Sequence, residues 1–519
     1  MEKQKDSYDH ILKYTGLFGG VQGLNILIGV VRSKFVALIL GPEGMGLVSL
    51  FNSTITLLSN TTDFGIPMSA VRSLSEAYES GDKKRIEHTV LLIRFWSFLA
   101  AFLGLVLCAA LSPLLSRWTF DWGNHTLHFL FLSPVIALAA ITGGETAVLK
   151  GVRQLRRLAV ISLYGMIGSL LSSVPLYYVW GQAAIIPSLF IVGLIQCVLT
   201  VGYSYKLYPL HLHQIGRGDE KGIETACGTE QGYGKAMVRS LWHEGGGMIR
   251  LGVAFVLAGI MASGADFVIR GYLNHTGDLA VVGLYNAGYV MTVTYAGLVF
   301  SAMETDYFPR LSGISHLGSE LNLTVNRQIE VCLLIVSPLL VLFILVLPVL
   351  MPLLFSGKFL PVVDMMRITT VAMYFRAVSM PVEYIALSRG DSSTYLFQEG
   401  AYAVLLIVAV ILGYRFFGLT GTGWGLLAVA VVMVLTYTSW RYHYRMSRDV
   451  LICLFGQMPL GVAAVLVLLY SASLWAISVG VVLFMISATF SLHQLRAKTA
   501  LWTKLVGKVE GKIKKILGK

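Results

Sequence analysis

The stretch that decides the fold, Arg32 to Ser75, reads RSKFVALILGPEGMGLVSLFNSTITLLSNTTDFGIPMSAVRSLS. A positive charge stands in one apolar segment, and a turn follows at Gly41-Pro42. A second apolar segment then carries a stripe of polar residues, and Arg72 begins a short basic exit. Segments of about 20 apolar residues are long enough to cross a bilayer as helices. The stretch therefore predicts a membrane-spanning helical hairpin.

Composition extends this prediction to the whole chain. Of its 519 residues, 55% are hydrophobic and 13% are charged, and the mean hydropathy is +0.71. Soluble domains carry about 25% charged residues. The sequence therefore predicts an all-α polytopic membrane protein. Its apolar runs give about 14 predicted spans, at residues 14–40, 44–70, 88–112, 126–149, 156–179, 183–207, 240–273, 280–308, 328–355, 361–388, 396–416, 420–442, 451–470 and 473–493.

Positive charge is distributed unevenly between the predicted loops. Thirty of the forty lysines and arginines fall at the termini and in alternate loops, and four fall on the opposite side: Arg117, Arg270, Lys358 and Arg415. Cytoplasmic loops of inner-membrane proteins hold such an excess. We therefore expect a multi-pass protein of the cell inner membrane with both termini in the cytoplasm. The net charge of +12 then reflects orientation and not nucleic-acid binding.

The sequence lacks the motifs of an enzyme or a metal site. It has no Walker A lysine loop, no HExxH, no GxSxG and no pair of carboxylates at a recognisable spacing. Its five cysteines form no CxxC pair, and His211 and His213 have no further ligand at metal-binding spacing. We expect no catalytic residue, no metal and no bound cofactor.

The chain repeats itself at an offset of 237 to 239 residues. Gly46-Leu47 matches Gly283-Leu284, and Arg32 falls on Arg270. Three further matches keep the same order: Leu74-Ser75 with Leu311-Ser312, Pro113-Leu114-Leu115 with Pro352-Leu353-Leu354, and residues 147–151 with residues 386–390. Spans 1–6 are therefore predicted to be duplicated as spans 7–12. An even number of spans in each copy gives both copies the same orientation, related by an axis along the membrane normal.

This duplication predicts two lobes that rock about a cavity, as in an alternating-access transporter. The expected divisions are a first lobe at 1–207, a cytoplasmic linker at 208–234, a second lobe at 235–445, spans 13 and 14 at 446–495, and a basic amphipathic cytoplasmic tail at 496–519.

Polar residues that share helical faces within these spans indicate what the cavity binds. Arginine presents a planar fork of donors that matches phosphate oxygens, which favours a polyanionic, sugar-bearing ligand. The candidate binding residues are Arg32, Arg250, Arg270, Arg376, Gln22, Asn25 and Asn52. Two alternatives stay open: the asparagines could bond neighbouring helices, and Arg270 could pair with Asp266 near the outer membrane face.

Carboxylates at membrane depth often act as ion relays. The candidates for coupling to a proton or sodium gradient are Asp63, Glu145, Asp266 and Glu304. The sequence does not choose between proton, sodium and uncoupled exchange.

Two stretches carry a resemblance to a known family: LGPEGMGLVSL at 40–50 and DFVIRGYL…VVGLYNAGYV at 266–290. With the two six-span lobes, they resemble the polysaccharide transporters of the multidrug/oligosaccharidyl-lipid/polysaccharide exporter superfamily, and within it the Wzx-type O-antigen flippases. The resemblance implies export of a polyprenyl-diphosphate-linked oligosaccharide from the cytoplasmic to the periplasmic leaflet. It also implies that the protein works in the lipid bilayer and interacts with the polysaccharide polymerase and chain-length machinery.

Three alternative functions make different demands on the sequence. Lipid II flippases of the same superfamily have fourteen spans, as predicted here. Multidrug cation antiporters usually depend on acidic residues in span 1, where this sequence has Arg32 and no acid. A glycan polymerase would need large periplasmic loops, and the predicted outer loops are short.

Overall fold

The computed structural model describes residues 2–120, 123–209, 256–294, 318–439, 444–470 and 473–498, together with Val253, Phe300, 307–308 and 310–314. Within these ranges side chains are described from Leu24 onward, except those of Ile26, Leu155, Thr294, 437–439 and 496–498. Every regular element in these ranges is helical, and nine stretches within them are long and apolar enough to cross a membrane. The predicted all-α membrane fold is confirmed, whereas the number of fourteen spans and the side on which the termini lie stay predictions.

The helices of the first half of the chain are α1 Glu2–Thr62, α2 Ile66–Glu79, α3 Lys83–Thr119, α4 Thr126–Gly151, α5 Leu155–Trp180, α6 Ile185–Tyr205 and α7 Val256–Thr276. Those of the second half are α8 Leu279–Tyr289, α9 Ser319–Leu354, α10 Val363–Ser388, α11 Ser392–Ser439, α12 Arg448–Tyr470 and α13 Leu474–Lys498. Short 3₁₀ turns at Gly181–Ala184 and Gly357–Val362 and a π turn at Val290–Thr294 connect or extend them.

Two of these helices contain a break where the sequence predicts a turn between spans. In α1 the break is at Gly41, whose φ of 66° is in the left-handed region that favours glycine. Pro42 follows and has no N–H to continue the hydrogen-bond ladder. In α11 the break is at Phe417 and Gly418. Its two halves then pack closely, since a side chain at Gly413 would collide with the backbone of Gly421.

The span predicted at 44–70 is shorter in the structure. The helix ends at Thr62, and Phe64 and Gly65 take φ values of 52° and 69°. The Asp63 carboxylate accepts the Gly65 N–H at 2.9 Å, which holds this turn. The residues from Ile66 form the separate helix α2. The local turn therefore ends the helix, although the apolar run continues past it.

The chain divides into two compact units, Met1–Gly283 and Leu284–Lys519. In the first unit, α2, α3 and α4 enclose a core that includes Leu74, Ile93 and Val148. In the second unit, α9, α10, α12 and α13 enclose a core that includes Ile344 and Ala464. The predicted linker at 208–234 falls almost wholly outside the described residues, so the predicted domain boundaries stay predictions.

Within the first unit, the repeat leaves a reciprocal contact between α1 and α8. A side chain at Gly46 would collide with the carbonyl of Leu279, and one at Gly283 would collide with the carbonyl of Pro42. Gly46 and Gly283 are 237 residues apart in the sequence, and Pro42 and Leu279 are separated by the same 237 residues. Such mutual contact is the geometry of a local two-fold axis, as a duplicated hairpin predicts.

Candidate functional site

A cavity of about 650 Å³ lies in the first unit, between α1, α2, α4, α5 and α6. Its polar lining consists of Arg32, Thr142, Thr146, Lys150, Ser162, Ser169 and Gln196. Two cations and several hydroxyl and amide groups therefore face one space, and no carboxylate is among the lining residues. Such a space attracts an anion that also presents hydroxyl groups.

The cavity exists because small and polar residues share one face of each surrounding helix. On α4, Ala139, Gly143, Thr146 and Lys150 line it at spacings of four, three and four residues. On α5, Ser162 and Ser169 flank Gly165, where a side chain would collide with Gln196. These faces are visible in the sequence as helical spacing, but none of the predicted binding residues lies in spans 4 to 6.

Arg32 is the predicted binding residue that lies in this cavity. Its Nε donates a hydrogen bond to Ser173 Oγ at 3.1 Å. Ser173 is buried and donates in turn to the Ser169 carbonyl at 2.6 Å. The guanidinium of α1 is therefore positioned by α5 and is partly enclosed by the cavity wall.

Asn25 and Asn52 are placed differently. Asn25 is buried, and its Nδ2 donates to Ser162 Oγ at 2.7 Å, which joins α1 to α5 behind the lining. This contact is the helix-to-helix bond that the sequence analysis offered as an alternative. Asn52 is exposed and does not line this cavity. The side chain of Gln22 lies outside the described residues.

Arg270 is buried and bonded on two sides. Its Nη1 pairs with Asp266 Oδ2 at 2.5 Å, and its Nε donates to Ser49 Oγ at 2.7 Å. The side chain is 6% exposed. The structure thus has the ion pair that was the alternative interpretation, and it ties α7 to the second half of α1.

Glu145 is part of a buried network near the C-terminal end of α4. Arg94 Nε pairs with Glu145 Oε1 at 2.8 Å, and Ser204 Oγ donates to Oε2 at 2.5 Å. Arg94 also donates to the Tyr208 carbonyl and lies 3.8 Å from the centre of the Tyr205 ring. The network joins α3, α4 and the end of α6, and the coupling role of Glu145 stays a prediction.

Asp63 lies just beyond the end of the spanning part of α1. Burial raises the pKa of its carboxyl, against the opposing effect of the Gly65 N–H that bonds the carboxylate. A carboxyl that holds its proton more tightly suits a relay, but Asp63 does not line the cavity.

Arg376 lies in the second unit and lines a separate cavity of about 80 Å³. Glu383 and Glu399 line the same space. The Glu399 carboxyl hydrogen-bonds Glu383 and Tyr395, with Arg376 close enough to interact with its charge. Arg376 and Glu383 are seven residues apart on α10 and share one helical face. Glu399 lies on the next helix, α11, and was not predicted from the sequence. Arg250 and Glu304 lie outside the described residues.

Two family models with the description "Polysaccharide biosynthesis protein" match the sequence, one over residues 11–201 and the other over residues 245–364. No curated protein matches it.

Three solved structures show the fold. One is described as the lipid II flippase MurJ in an inward closed conformation, with a TM-score of 0.68 at 13% identity, over 92% of this chain and 99% of that chain. A multidrug resistance MATE family transporter in an inward-facing conformation has a TM-score of 0.59 at 12% identity, over 86% and 96%. The outward-facing structure of such a transporter has a TM-score of 0.53 at 14% identity, over 82% and 92%.

Proposed function

We propose that this chain is a membrane flippase of the multidrug/oligosaccharidyl-lipid/polysaccharide exporter superfamily, and that it carries a polyprenyl-diphosphate-linked oligosaccharide across the inner membrane. In this proposal the O-antigen unit, or another surface-polysaccharide unit, moves from the cytoplasmic to the periplasmic leaflet. The polysaccharide polymerase and chain-length machinery would receive it there.

The observation that carries the proposal is the cationic cavity of the first unit. Arg32 and Lys150 line it, and no lining residue is a carboxylate that would neutralise them. Its volume of about 650 Å³ is within the usual range of about 300–1,000 Å³ for ligand pockets. It would hold a diphosphate and the adjoining sugar, whose hydroxyl groups the serines, threonines and Gln196 could bond.

Lys150 and Arg32 stand at different depths. Lys150 is in the last turn of α4, at the predicted cytoplasmic surface. Arg32 is about 27 Å along the first predicted span from Tyr14 at the usual helical rise. Lys150 would therefore meet the diphosphate first, and Arg32 would meet it later in its passage.

The test is arrival of labelled glycolipid in the periplasmic leaflet of cells that carry Arg32→Ala or Lys150→Ala. Losing one charged hydrogen-bonding group on a phosphate costs about 1.5–3 kcal/mol, so we expect arrival to fall at least about tenfold. Arg153→Ala is the control, since Arg153 is exposed three residues from Lys150 and pairs with Glu79. Undiminished arrival in both cavity variants at equal protein level contradicts the proposal.

A lipid II flippase is the second candidate, because the likeness to the MurJ structure covers 99% of that chain and α12 and α13 follow the predicted twelve-span core. A multidrug cation antiporter is disfavoured by the cationic lining of the first cavity. Drug resistance conferred on a strain without efflux pumps would support the antiporter and contradict the flippase.

We also propose that an ion gradient drives transport. Besides the four acidic residues predicted from the sequence, the hydrogen-bonded carboxyls of Glu383 and Glu399 can share one proton, since two adjacent carboxylates do not readily ionise together. A flippase that still works after both proton and sodium gradients are collapsed would contradict coupling.

A further inference from the structure

A second cavity in the first unit is not used by the proposed transport. It measures about 570 Å³ and opens between α1, α3 and α7. It shares no lining residue with the cavity of Arg32.

The body of this groove is apolar. Leu57 of α1 and Phe267 and Val268 of α7 line it. Gly264 and Gly271 line it as well and, at seven residues apart, lie on one face of α7 about two turns apart. A Cβ at Gly264 would meet only Leu57, at 3.9 Å. Because these two glycines have no side chains, α7 leaves an open channel that a chain of methylene groups can fill.

The polar groups of the groove are gathered at one end. Arg117 and Trp118 belong to the last turn of α3, and His275 to the last turn of α7. His275 Nε2 is hydrogen-bonded to the Trp118 carbonyl at 2.7 Å, which fixes the two helix ends together. Arg117 is exposed and has no ion-pair partner among the described residues. Trp118 is 58% exposed, as expected of an aromatic residue at a membrane–water interface.

The length of the groove matches one leaflet. Its lining on α7 runs from Gly264 to His275, about 16 Å at the usual helical rise. The hydrocarbon core is about 30 Å thick, so one leaflet is about 15 Å. The charged end is on the side where the loops carry few positive charges, which is the predicted outer face.

We propose that this groove binds one acyl chain of an anionic glycerophospholipid of the outer leaflet, with its phosphate on Arg117. A zwitterionic lipid fits less well, because the lining contains no carboxylate to receive a headgroup ammonium. Nearby Asp266 is already paired with Arg270. The site does not depend on what the protein transports.

The test is native mass spectrometry of the purified full chain with phosphatidylglycerol or phosphatidylethanolamine added at equal concentration. The wild type is expected to hold one phosphatidylglycerol in preference to phosphatidylethanolamine. Arg117→Gln, an exposed change that leaves the packing intact, should weaken phosphatidylglycerol binding about tenfold and abolish the preference. Gly264→Leu, which fills the groove, should weaken binding of both lipids.

Two matched controls accompany these variants. Arg415→Gln removes another exposed arginine on the predicted outer side, and Gly202→Leu adds a side chain where nothing lies within 4 Å. Both should bind lipid as the wild type does. Unchanged binding in Arg117→Gln and Gly264→Leu overturns the site. Displacement of phosphatidylglycerol by an equimolar polyprenyl phosphate overturns the assigned occupant and identifies the carrier lipid instead.

Discussion

At the scale of single residues, the direction of the Arg32 guanidinium depends on a serine of another helix. Ser173→Ala removes the acceptor of the Arg32 Nε–H, so we expect glycolipid transport to fall at least about tenfold, since one hydrogen bond to a charged group is lost. Ser172→Ala is the control, because Ser172 bonds only its own helix. Equal transport by the two variants would show that Ser173 does not position Arg32.

The pair of Arg94 and Glu145 predicts a large stability effect. Both side chains are at most 5% exposed, and removing one partner of a buried pair costs about 3–5 kcal/mol, because the other charge is left buried without compensation. Arg94→Gln should therefore lower the free energy of unfolding in detergent by that amount. Arg72→Gln breaks the exposed pair with Glu76 and should cost at most about 0.5 kcal/mol. A similar small loss in both variants would contradict the buried network.

Asp63 predicts a pH dependence. Burial raises the pKa of its carboxyl, so the folded state binds the proton more tightly than the unfolded state. The stability linked to this proton is complete below about pH 4, the usual pKa of an aspartate, and is lost as pH rises through the higher folded value.

Asp63→Asn keeps an oxygen for the Gly65 N–H and removes the titration. The variant should melt at a higher temperature than the wild type at pH 7, and the difference should shrink as the pH approaches 4. A difference in melting temperature that grows in acid would mean that folding lowers the pKa of Asp63, and would contradict the raised pKa.

At the scale of elements, the crossing of α1 and α8 depends on two glycines. Gly46→Ala and Gly283→Ala each place a methyl group against a backbone carbonyl of the other helix, which should cost about 1–3 kcal/mol of folding free energy. The double variant should lose less folding free energy than the two single variants lose together, since both single variants disturb the same helix contact. Gly202→Ala, in open space, should be neutral. Full additivity in thermal unfolding would argue that the two glycines do not share a contact.

The helices were largely predictable from the sequence because each one is a long apolar run. The breaks at Gly41 and Gly418 were predictable as well, since a glycine or a Gly-Pro pair stands between two such runs. The end of the helix at Thr62 was not, because the run continues through Ile66 to Ala70. There the side-chain bond of Asp63 and the left-handed Gly65 set the boundary.

At the scale of the whole molecule, the candidate site was predictable only in part. Arg32 was identifiable because a charge within an apolar run is rare. Lys150 and Gln196 were not identified, since a lysine at a helix end and a glutamine in a span have ordinary explanations when taken alone. Their role depends on the packing of small-residue faces of α4, α5 and α6 around one space. Glu399 was not predicted for the same reason, because its role also depends on packing between helices.

The same limit applies to function. Hydropathy and duplication predict a two-lobe transporter, and the fold agrees with that class. The charge of the proposed substrate is inferred from the cavity lining, whereas the identity of the proposed glycan would be set by hydroxyl contacts that neither spacing nor composition encodes.

The most direct test of the central claim is mass spectrometry of the lipid-linked oligosaccharides of cells from which this protein has been removed. If the chain exports this glycolipid, a polyprenyl-diphosphate oligosaccharide should accumulate in these cells, and the wild-type chain should clear it while Arg32→Ala does not. An unchanged pool of lipid-linked oligosaccharides, or accumulation that Arg32→Ala clears as well as the wild type does, would contradict it.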